Sequence, residues 1–177
     1  KTHYIFYRNF VGEYMEKDRT VLDLGCGAGQ NTAMLARYSR LTLGLDEDPE
    51  GIAFARKWKG TDAVFICAGF PGAAIHRTFD YIFCIEVIEH VPYDEQWAFL
   101  DAALRLLAPD GRLFISTPNE QTAAPPHVGI WTKQRMDAVN ERYNANILRH
   151  AYFANTEPQL GFRARESSHH AMVMRRV

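Results

Sequence analysis

The sequence predicts an α/β fold in which helices cover both faces of a parallel sheet. Two observations predict it. Uninterrupted apolar runs of strand length alternate with longer segments of helical periodicity, and the first strand runs into a glycine cluster that opens a helix. With 177 residues, of which 47% are hydrophobic and 23% charged, the chain has ordinary globular composition and room for one substantial core. We expect residues 1–177 to form a single domain.

The first half of the chain shows this alternation most clearly. Residues 4–16 place aromatic and aliphatic side chains at helical spacing, which predicts an amphipathic lead-in helix. A strand over 21–24 precedes the glycines, and a helix follows over about 31–39. A second strand covers 41–46. Pro49 then suits the first turn of another helix, because that turn leaves its amide hydrogens unpaired and proline has none.

Three more strands and one more helix are predicted between Pro49 and residue 116. The apolar runs at 63–67 and 79–85 are typical of buried strands, and residues 93–107 repeat apolar side chains at helical spacing. Pro109-Asp110-Gly111 predicts a turn into a fifth strand at 112–116.

The last third of the sequence has weaker patterns. A helix is predicted over 132–143, with Thr132 as its N-cap. Two closing strands are predicted over 146–153 and 170–176, joined by the polar stretch 155–168.

The distribution of charge limits the possible partners. A net charge of −1 does not favour a nucleic-acid partner. Residues 1–111 carry 11 basic and 16 acidic side chains, whereas residues 112–177 carry 9 and 5. The basic excess of the second segment indicates either a solvated face or a site near an anionic substrate.

The cysteines and the chain start bear on location. Cys26, Cys67 and Cys84 lie in or beside predicted strands without metal-type spacing, so we expect reduced core residues in a cytoplasmic protein. The sequence has no run of about 18 apolar residues, and its first residues lack the apolar stretch of a signal peptide. We expect no membrane span, and an N-terminus that has been trimmed, since no initiator methionine is present.

The strongest functional signal is the string Asp23-Leu24-Gly25-Cys26-Gly27-Ala28-Gly29 at the first strand-to-helix turn. Glycines there permit positive φ and let a ligand approach the backbone. The helix N-terminus beyond them suits a carboxylate or a phosphate. The third glycine comes one residue earlier than in the G-x-G-x-x-G pattern of dinucleotide enzymes, and an acid precedes the first glycine. This variant of the pattern is typical of S-adenosylmethionine sites.

Two acidic residues complete the predicted ligand site. Asp46 ends the second strand, where a carboxylate can accept two hydrogen bonds from a ribose diol. Asp23 is expected to face the ammonium group of the methionine part, directly or through water.

At these residues the sequence resembles the class I S-adenosylmethionine-dependent methyltransferases, over roughly residues 4–120. The resemblance rests on four strings: VLDLGCGAG (21–29), LGLDEDPEGIAFAR (43–56), FDYIFCIEVIEHV (79–91) and LLAPDGRLFISTPN (106–119). The EVIEHV and STPN portions are most similar to the branch that holds ubiquinone-biosynthesis O-methyltransferases and relatives acting on small metabolites and sugars.

The resemblance implies both a fold and a cofactor. The fold is three-layered, doubly wound and Rossmann-like, with a mostly parallel seven-stranded sheet of order 3-2-1-4-5-7-6 and an antiparallel strand seven. The cofactor is S-adenosylmethionine. The residues expected to bind it are Asp23, Gly25, Cys26, Gly27, Gly29, Asp46, Glu47, Gly69, Phe70, Ile85 and Glu86.

The segment after strand three departs from the family pattern. Many relatives carry an aspartate there that receives the adenine amino group, whereas this chain reads Cys67-Ala68-Gly69-Phe70. We therefore expect adenine to be recognised by a backbone carbonyl and by stacking on Phe70.

The loop after strand four is expected to carry the chemistry. Methyl transfer from a sulfonium is a direct displacement, so the protein positions the partners and handles the proton of the nucleophile. Glu86, Glu89 and His90 lie in this loop. His90 is expected to be the general base, because imidazole exchanges a proton near neutral pH; bracing the next helix is its alternative role.

A second histidine, His127, follows strand five and is expected to line the substrate pocket. His90, His127 and Glu89 thus form the predicted catalytic set. In small-RNA 3′-terminal 2′-O-methyltransferases a similar E-x-x-E-H string plus later histidines binds a divalent ion. Glu86 would join the three residues in such a site, with ligand types suited to Mg²⁺ or Mn²⁺. We assign no metal ligand, because the strings around the later histidine of that family are absent here.

The predicted function is methyl transfer from S-adenosylmethionine to a small-molecule acceptor, on an oxygen atom. We expect no membrane partner and no nucleic-acid partner. Two alternatives stay open: a metal-assisted RNA 2′-O-methyltransferase, and a non-catalytic protein that binds S-adenosylmethionine.

Overall fold

A computed structural model describes residues 12–58, 60–119, 126–153 and 169–177. These residues contain one sheet, whose strands are β1 (Arg19–Leu24), β2 (Ser39–Asp46), β3 (Val64–Cys67), β4 (Phe79–Ile85), β5 (Leu107–Pro118), β6 (Ile147–Phe153) and β7 (His169–Met174). The helices are α1 (Gln30–Leu35), α2 (Pro49–Ala55), α3 (Gln96–Arg105) and α4 (Lys133–Tyr143), with a 3-10 turn at Ile88–His90.

The seven strands follow the order β3-β2-β1-β4-β5-β7-β6. Strands β1 to β5 pair in parallel, and β7 runs antiparallel to both β5 and β6. This is the fold that the sequence predicts. The strand order reverses beside β1, so the carboxyl ends of β1 and β4 flank the crevice where open α/β sheets bind their ligands.

The core lies on both faces of the central strands. On one face Leu22 and Ile82, both fully buried, pack in a cluster with α3 and α4. On the other face Val21 and Phe83 belong to a separate cluster with Phe114 of β5. Alternate residues of one strand thus face opposite layers, which explains why these strands read as uninterrupted apolar runs.

The sequence predicts that a turn at 109–111 precedes the fifth strand, and this boundary is wrong. Strand β5 already begins at Leu107, which pairs with Phe79, while Arg112 pairs with Tyr81. Residues 108–111 lie between those two pairs and face Asp80 alone, so they form a bulge within the strand. Turn-forming residues therefore serve here to bend a continuous strand.

The prediction that Cys67 is a core residue is also wrong. Strand β3 is the edge of the sheet, and only its Phe65 is buried, whereas Val64, Ile66 and Cys67 are exposed. Cys26 and Cys84 are buried free thiols, as predicted. Burial raises the pKa of Cys26 to about 12, so this thiol stays protonated.

The N-terminal and C-terminal predictions are tested only in part. Of the lead-in helix, residues 4–11 lie outside the described residues, and residues 12–14 form a turn where a helix was predicted. The polar stretch 155–168 lies outside them as well. Within the described ranges, no helix has the length and apolarity needed to cross a membrane.

Candidate functional site

A cavity of about 350 Å³ opens at the carboxyl ends of β1, β2 and β4. Seven residues predicted for the site line it: Gly25, Asp46, Glu47, Gly69, Phe70, Glu86 and His90. Parallel strands end at the same edge of a sheet, which explains why residues distant in sequence meet there. The other seven predicted residues are not part of this lining: Asp23, Cys26, Gly27, Gly29, Ile85, Glu89 and His127.

The glycine loop needs glycine for close packing and for its backbone conformation. Gly25 has a φ of +67°, and a Cβ atom there would lie 2.4 Å from Cγ2 of Val87. Gly27 has a φ of +51°, and a Cβ atom there would meet nothing within 4 Å. The loop is therefore packed on one side at Gly25 and open at Gly27.

Asp46 braces this loop as well as facing the cavity. Its Oδ2 accepts a hydrogen bond of 2.7 Å from the Gly27 amide, and its Oδ1 accepts one of 2.9 Å from the Asp48 amide. These bonds fix the carboxylate, and each oxygen keeps a second lone pair for a hydroxyl donor. The sequence predicted the ribose-binding role of Asp46 but not its bond to the glycine loop.

Asp23 lies behind the cavity wall, at the junction of β1 and α1. It is 3% exposed, and its Oδ2 accepts a 2.6 Å hydrogen bond from Oγ1 of Thr32. The pKa of Asp23 is raised to about 7, chiefly by burial; the hydrogen bond from Thr32 opposes this rise and the charge of Asp46 adds to it. Asp23 therefore changes its charge close to neutral pH.

The wall after β3 is aromatic. Phe70 packs edge-on against Phe99 of α3, with ring centroids 4.9 Å apart and an interplanar angle of 81°. Both rings line the cavity, together with the backbone at Gly69. This wall lies where the sequence predicted an aromatic surface in place of an acid.

Glu86 directly follows β4 and has a left-handed backbone, with a φ of +57°. Its Oε1 accepts a 2.6 Å hydrogen bond from Oγ of Ser116, and its Oε2 lies 3.1 Å from Nε2 of His169. A residue without glycine's freedom adopts this conformation only where its surroundings enforce it. Sequence reasoning missed Ser116 and His169, because they come from β5 and β7, far along the chain.

Glu89, His90 and His127 come together beside the cavity. The rings of His90 and His127 lie 4.9 Å apart, and one ligand atom from each of the three residues lies within 4.8 Å of the others. Burial lowers the pKa of His90, and so does His127, which keeps the imidazole neutral at pH 7. A neutral imidazole can accept a proton.

Glu89 is the most buried member of this cluster, at 1% exposed. Its Oε2 accepts a 3.1 Å hydrogen bond from Oγ1 of Thr117, while its Oε1 is buried and has no hydrogen-bond partner among the residues that the structure describes. Burial raises the pKa of Glu89 to about 8, with a further contribution from Glu86. This buried carboxylate oxygen and the two imidazoles beside it form a donor set that fits a divalent cation. Glu86 is outside this three-residue group.

The comparisons with known proteins agree with this fold and these motifs. The family described as "Methyltransferase domain" matches residues 4–160. The ubiquinone biosynthesis O-methyltransferase of Xylella fastidiosa is 38% identical over 109 residues, which cover 59% of this chain and 44% of that protein. The mitochondrial one of Schizosaccharomyces pombe is 32% identical over 105 residues, covering 56% of this chain and 38% of that protein. The chain thus spans less than half the length of these relatives.

Solved structures share the fold at low sequence identity. The N-methyltransferase NodS from Bradyrhizobium japonicum, in complex with S-adenosyl-l-homocysteine, has a TM-score of 0.73 at 19% identity and covers 99% of this chain and 85% of its own. A TehB-like SAM-dependent methyltransferase from Corynebacterium glutamicum has a TM-score of 0.71 at 21% identity, covering 94% and 85%. The family match spans most of the chain, and the sheet order and glycine motif accord with it. The chain belongs to the methyltransferase domain family, as its resemblance to class I S-adenosylmethionine-dependent methyltransferases predicted.

Proposed function

We propose that this chain transfers a methyl group from S-adenosylmethionine to an oxygen atom of a small-molecule acceptor. One observation carries the proposal: Asp46 and Gly25 line the same cavity as Glu86 and His90. Groups suited to hold the cofactor therefore share one cavity with a group suited to take the acceptor's proton. Proximity of this kind is most of what the displacement requires from a protein.

The cofactor lies along the glycine loop in this proposal. Asp46 accepts hydrogen bonds from the ribose diol, and Glu47 lies beside it at the cavity wall. Adenine packs against Phe70, near the backbone of Gly69. Asp23 lies behind Gly25, and in its ionised form its buried carboxylate would provide negative charge at the end of the loop proposed for the methionine ammonium.

The acceptor enters from the side of His90 and His127. Its hydroxyl oxygen would attack the methyl carbon of bound S-adenosylmethionine, the bond from that carbon to sulfur would break, and S-adenosylhomocysteine, a neutral thioether, would leave. The hydroxyl proton passes to the neutral imidazole of His90. The relatives' names describe O-methyltransferases of ubiquinone biosynthesis, which supports an oxygen acceptor on a small molecule.

A divalent cation is a second way for the same cluster to handle that proton. Oε1 of Glu89, which has no hydrogen-bond partner within the described part of the chain, favours it, and His90 and His127 complete the donor set. A bound cation lowers the pKa of a hydroxyl that coordinates it. His90 would then serve as a ligand, so its roles as base and as ligand exclude each other.

Metal binding is measured first without any acceptor. Calorimetric titration with Mn²⁺ should show one site in the wild-type chain and none in Glu89→Gln if the cation is used. Activity that survives a chelator, with no Mn²⁺ binding, leaves His90 as the base.

The experiment that tests the proposed function is incubation with labelled S-adenosylmethionine and a panel of phenols and other small hydroxyl compounds. We expect a labelled, base-stable ether product from at least one of them. Transfer of the label to RNA ends, and not to the small hydroxyl compounds, would instead support an RNA methyltransferase. Tight cofactor binding with no product from any acceptor class would support a non-catalytic protein.

A further inference from the structure

We propose that Gln96 is a positioning residue that clamps the His127 loop, residues 126–131, onto the turn that carries Glu89 and His90. The inference rests on the proposed function, because it concerns how the acceptor-side histidines are held at their spacing. Gln96 opens α3, and its side chain is 1% exposed.

The amide of Gln96 uses its full hydrogen-bonding capacity. Its Nε2 donates to the carbonyl oxygens of Gly129 at 2.6 Å, Ile88 at 3.0 Å and Val91 at 3.2 Å. Two hydrogens are thus shared among three acceptors, two of them around the 3-10 turn and one in the His127 loop. The side chain therefore joins the segment after β4 to the segment after β5.

The carbonyl oxygen of the same side chain is also occupied. Gln96 Oε1 accepts hydrogen bonds from Nε1 of Trp131 at 3.1 Å and from Nε of Arg135 at 2.9 Å. All groups facing Nε2 are carbonyls and both groups facing Oε1 are N–H donors, so only one orientation of the amide satisfies them.

Arg135 anchors this network to α4. Its guanidinium lies 4.4 Å from the ring centroid of Tyr93 and 4.2 Å from that of Trp97. It is thus held between two aromatic rings. The oxygen of Gln96 is therefore tied to a fixed donor, which restricts movement of the whole amide.

The loop backbone closes onto the same turn. The amides of Val128 and Gly129 donate to the carbonyl of Glu89 at 3.0 and 2.9 Å. A Cβ atom at Gly129 would lie 2.1 Å from the carbonyl oxygen of Val91 and 2.3 Å from Nε2 of Gln96. Only glycine allows this approach, and His127 lies two residues before it.

A leucine at position 96 would fill a similar volume without these bonds. The carbonyl of Gly129, together with the indole N–H of Trp131, would lose its partner inside the protein, which is costly for buried polar groups. The loop would then be held to the turn mainly by its two backbone hydrogen bonds. The spacing between His90 and His127 depends on the hydrogen bonds that Gln96 makes, so we expect this spacing to be lost in the variant.

The first test is amide hydrogen exchange at Val128 and Gly129 in Gln96→Leu, measured without substrate. We expect exchange at both amides to become at least tenfold faster, with a Kd for S-adenosylhomocysteine within twofold of wild type. The matched control is Asp101→Asn, which disrupts hydrogen bonds between α3 and α4 to Arg142 and Tyr143 but touches neither the loop nor the turn. Its loop amides should exchange as in wild type.

The second test is a double-mutant cycle in kcat. We expect Gln96→Leu to lower kcat at least tenfold, and His127→Ala to lower it little further in that background, because both act through the same ring. If Gln96→Leu does not fold, both tests are made with Gln96→Glu. This variant keeps the oxygen that accepts from Trp131 and Arg135 but loses the N–H donors.

Unchanged exchange at Val128 and Gly129, or independent effects of the two substitutions on kcat, would overturn the proposal. The exchange result does not require turnover. A chain that methylates no acceptor would therefore refute the proposed function while leaving the clamp to be decided by exchange alone.

Discussion

The carboxylate of Asp46 accepts a 2.7 Å hydrogen bond from the amide of Gly27. This bond joins the end of β2 to the glycine loop between β1 and α1. The group proposed to bind the ribose thus also shapes the loop proposed to bind the methionine part. A hydrogen bond therefore joins the two halves of the proposed cofactor site.

Asp46→Ala is therefore expected to weaken binding of S-adenosylmethionine by about 1.5–3 kcal/mol, the usual loss for hydrogen bonds to a charged group. Titration calorimetry measures it. Asp62→Ala removes an exposed carboxylate before β3 and serves as the control, with affinity unchanged. Equal affinities in the two variants would refute the ribose assignment.

The buried carboxyl of Asp23 should make stability depend on pH. Its pKa is about 7 in the folded chain and 3.8 in a model peptide, so the folded state holds the proton more tightly. The unfolded state then binds fewer protons between those values, and this group's contribution to the free energy of unfolding falls as pH rises from about 4 through 7.

Asp23→Asn removes that dependence. We expect the variant and the wild type to have similar free energies of unfolding near pH 4, and the variant to be the more stable by up to about 4 kcal/mol at pH 8. Urea unfolding at several pH values measures the free energy of unfolding of the variant and of the wild type. A difference that stays constant with pH would show that Asp23 does not titrate in this range.

His169 is expected to act through Glu86. His169→Ala removes the 3.1 Å contact to Oε2 of Glu86, a carboxylate that lines the cavity. Losing one hydrogen bond to a charged group costs about 1.5–3 kcal/mol, so kcat/KM should fall by roughly tenfold or more. Steady-state kinetics measures this. His169→Gln, which keeps a donor, should recover part of the loss, and the exposed His76→Ala should change nothing.

His90→Ala tests the proposed base. General-base catalysis contributes about 10²–10⁴-fold, so turnover should fall by that order. The Kd for the cofactor should change little, because the glycine loop and Asp46 are not bonded to His90. Single-turnover kinetics combined with calorimetry separates the two effects, and turnover equal to wild type would retire His90 from this role.

The fold, and which residues line the side of the cavity proposed for the cofactor, were largely predictable from sequence. Apolar runs such as 79–85 mark central strands, and the acid at the end of β2 had to lie near the glycine loop, because parallel strands end at one edge. Those predictions depend on local patterns and on the sheet's general geometry.

The remaining features depend on tertiary partners that no local pattern reveals. Cys67 is exposed because β3 is the edge strand, and the residues at 109–111 form a bulge because of how β5 pairs with β4. Gln96 is a polar residue at a helix start, where exposure is the ordinary expectation. Only the fold shows that the His127 loop closes over it.

The most direct measurement is a crystal structure of the chain with S-adenosylhomocysteine. The ribose hydroxyls are predicted to lie within hydrogen-bonding distance of Asp46, with adenine on Phe70 and the amino acid part along residues 25–29. A cavity left empty at saturating ligand, or the ligand bound elsewhere on the chain, would contradict the account.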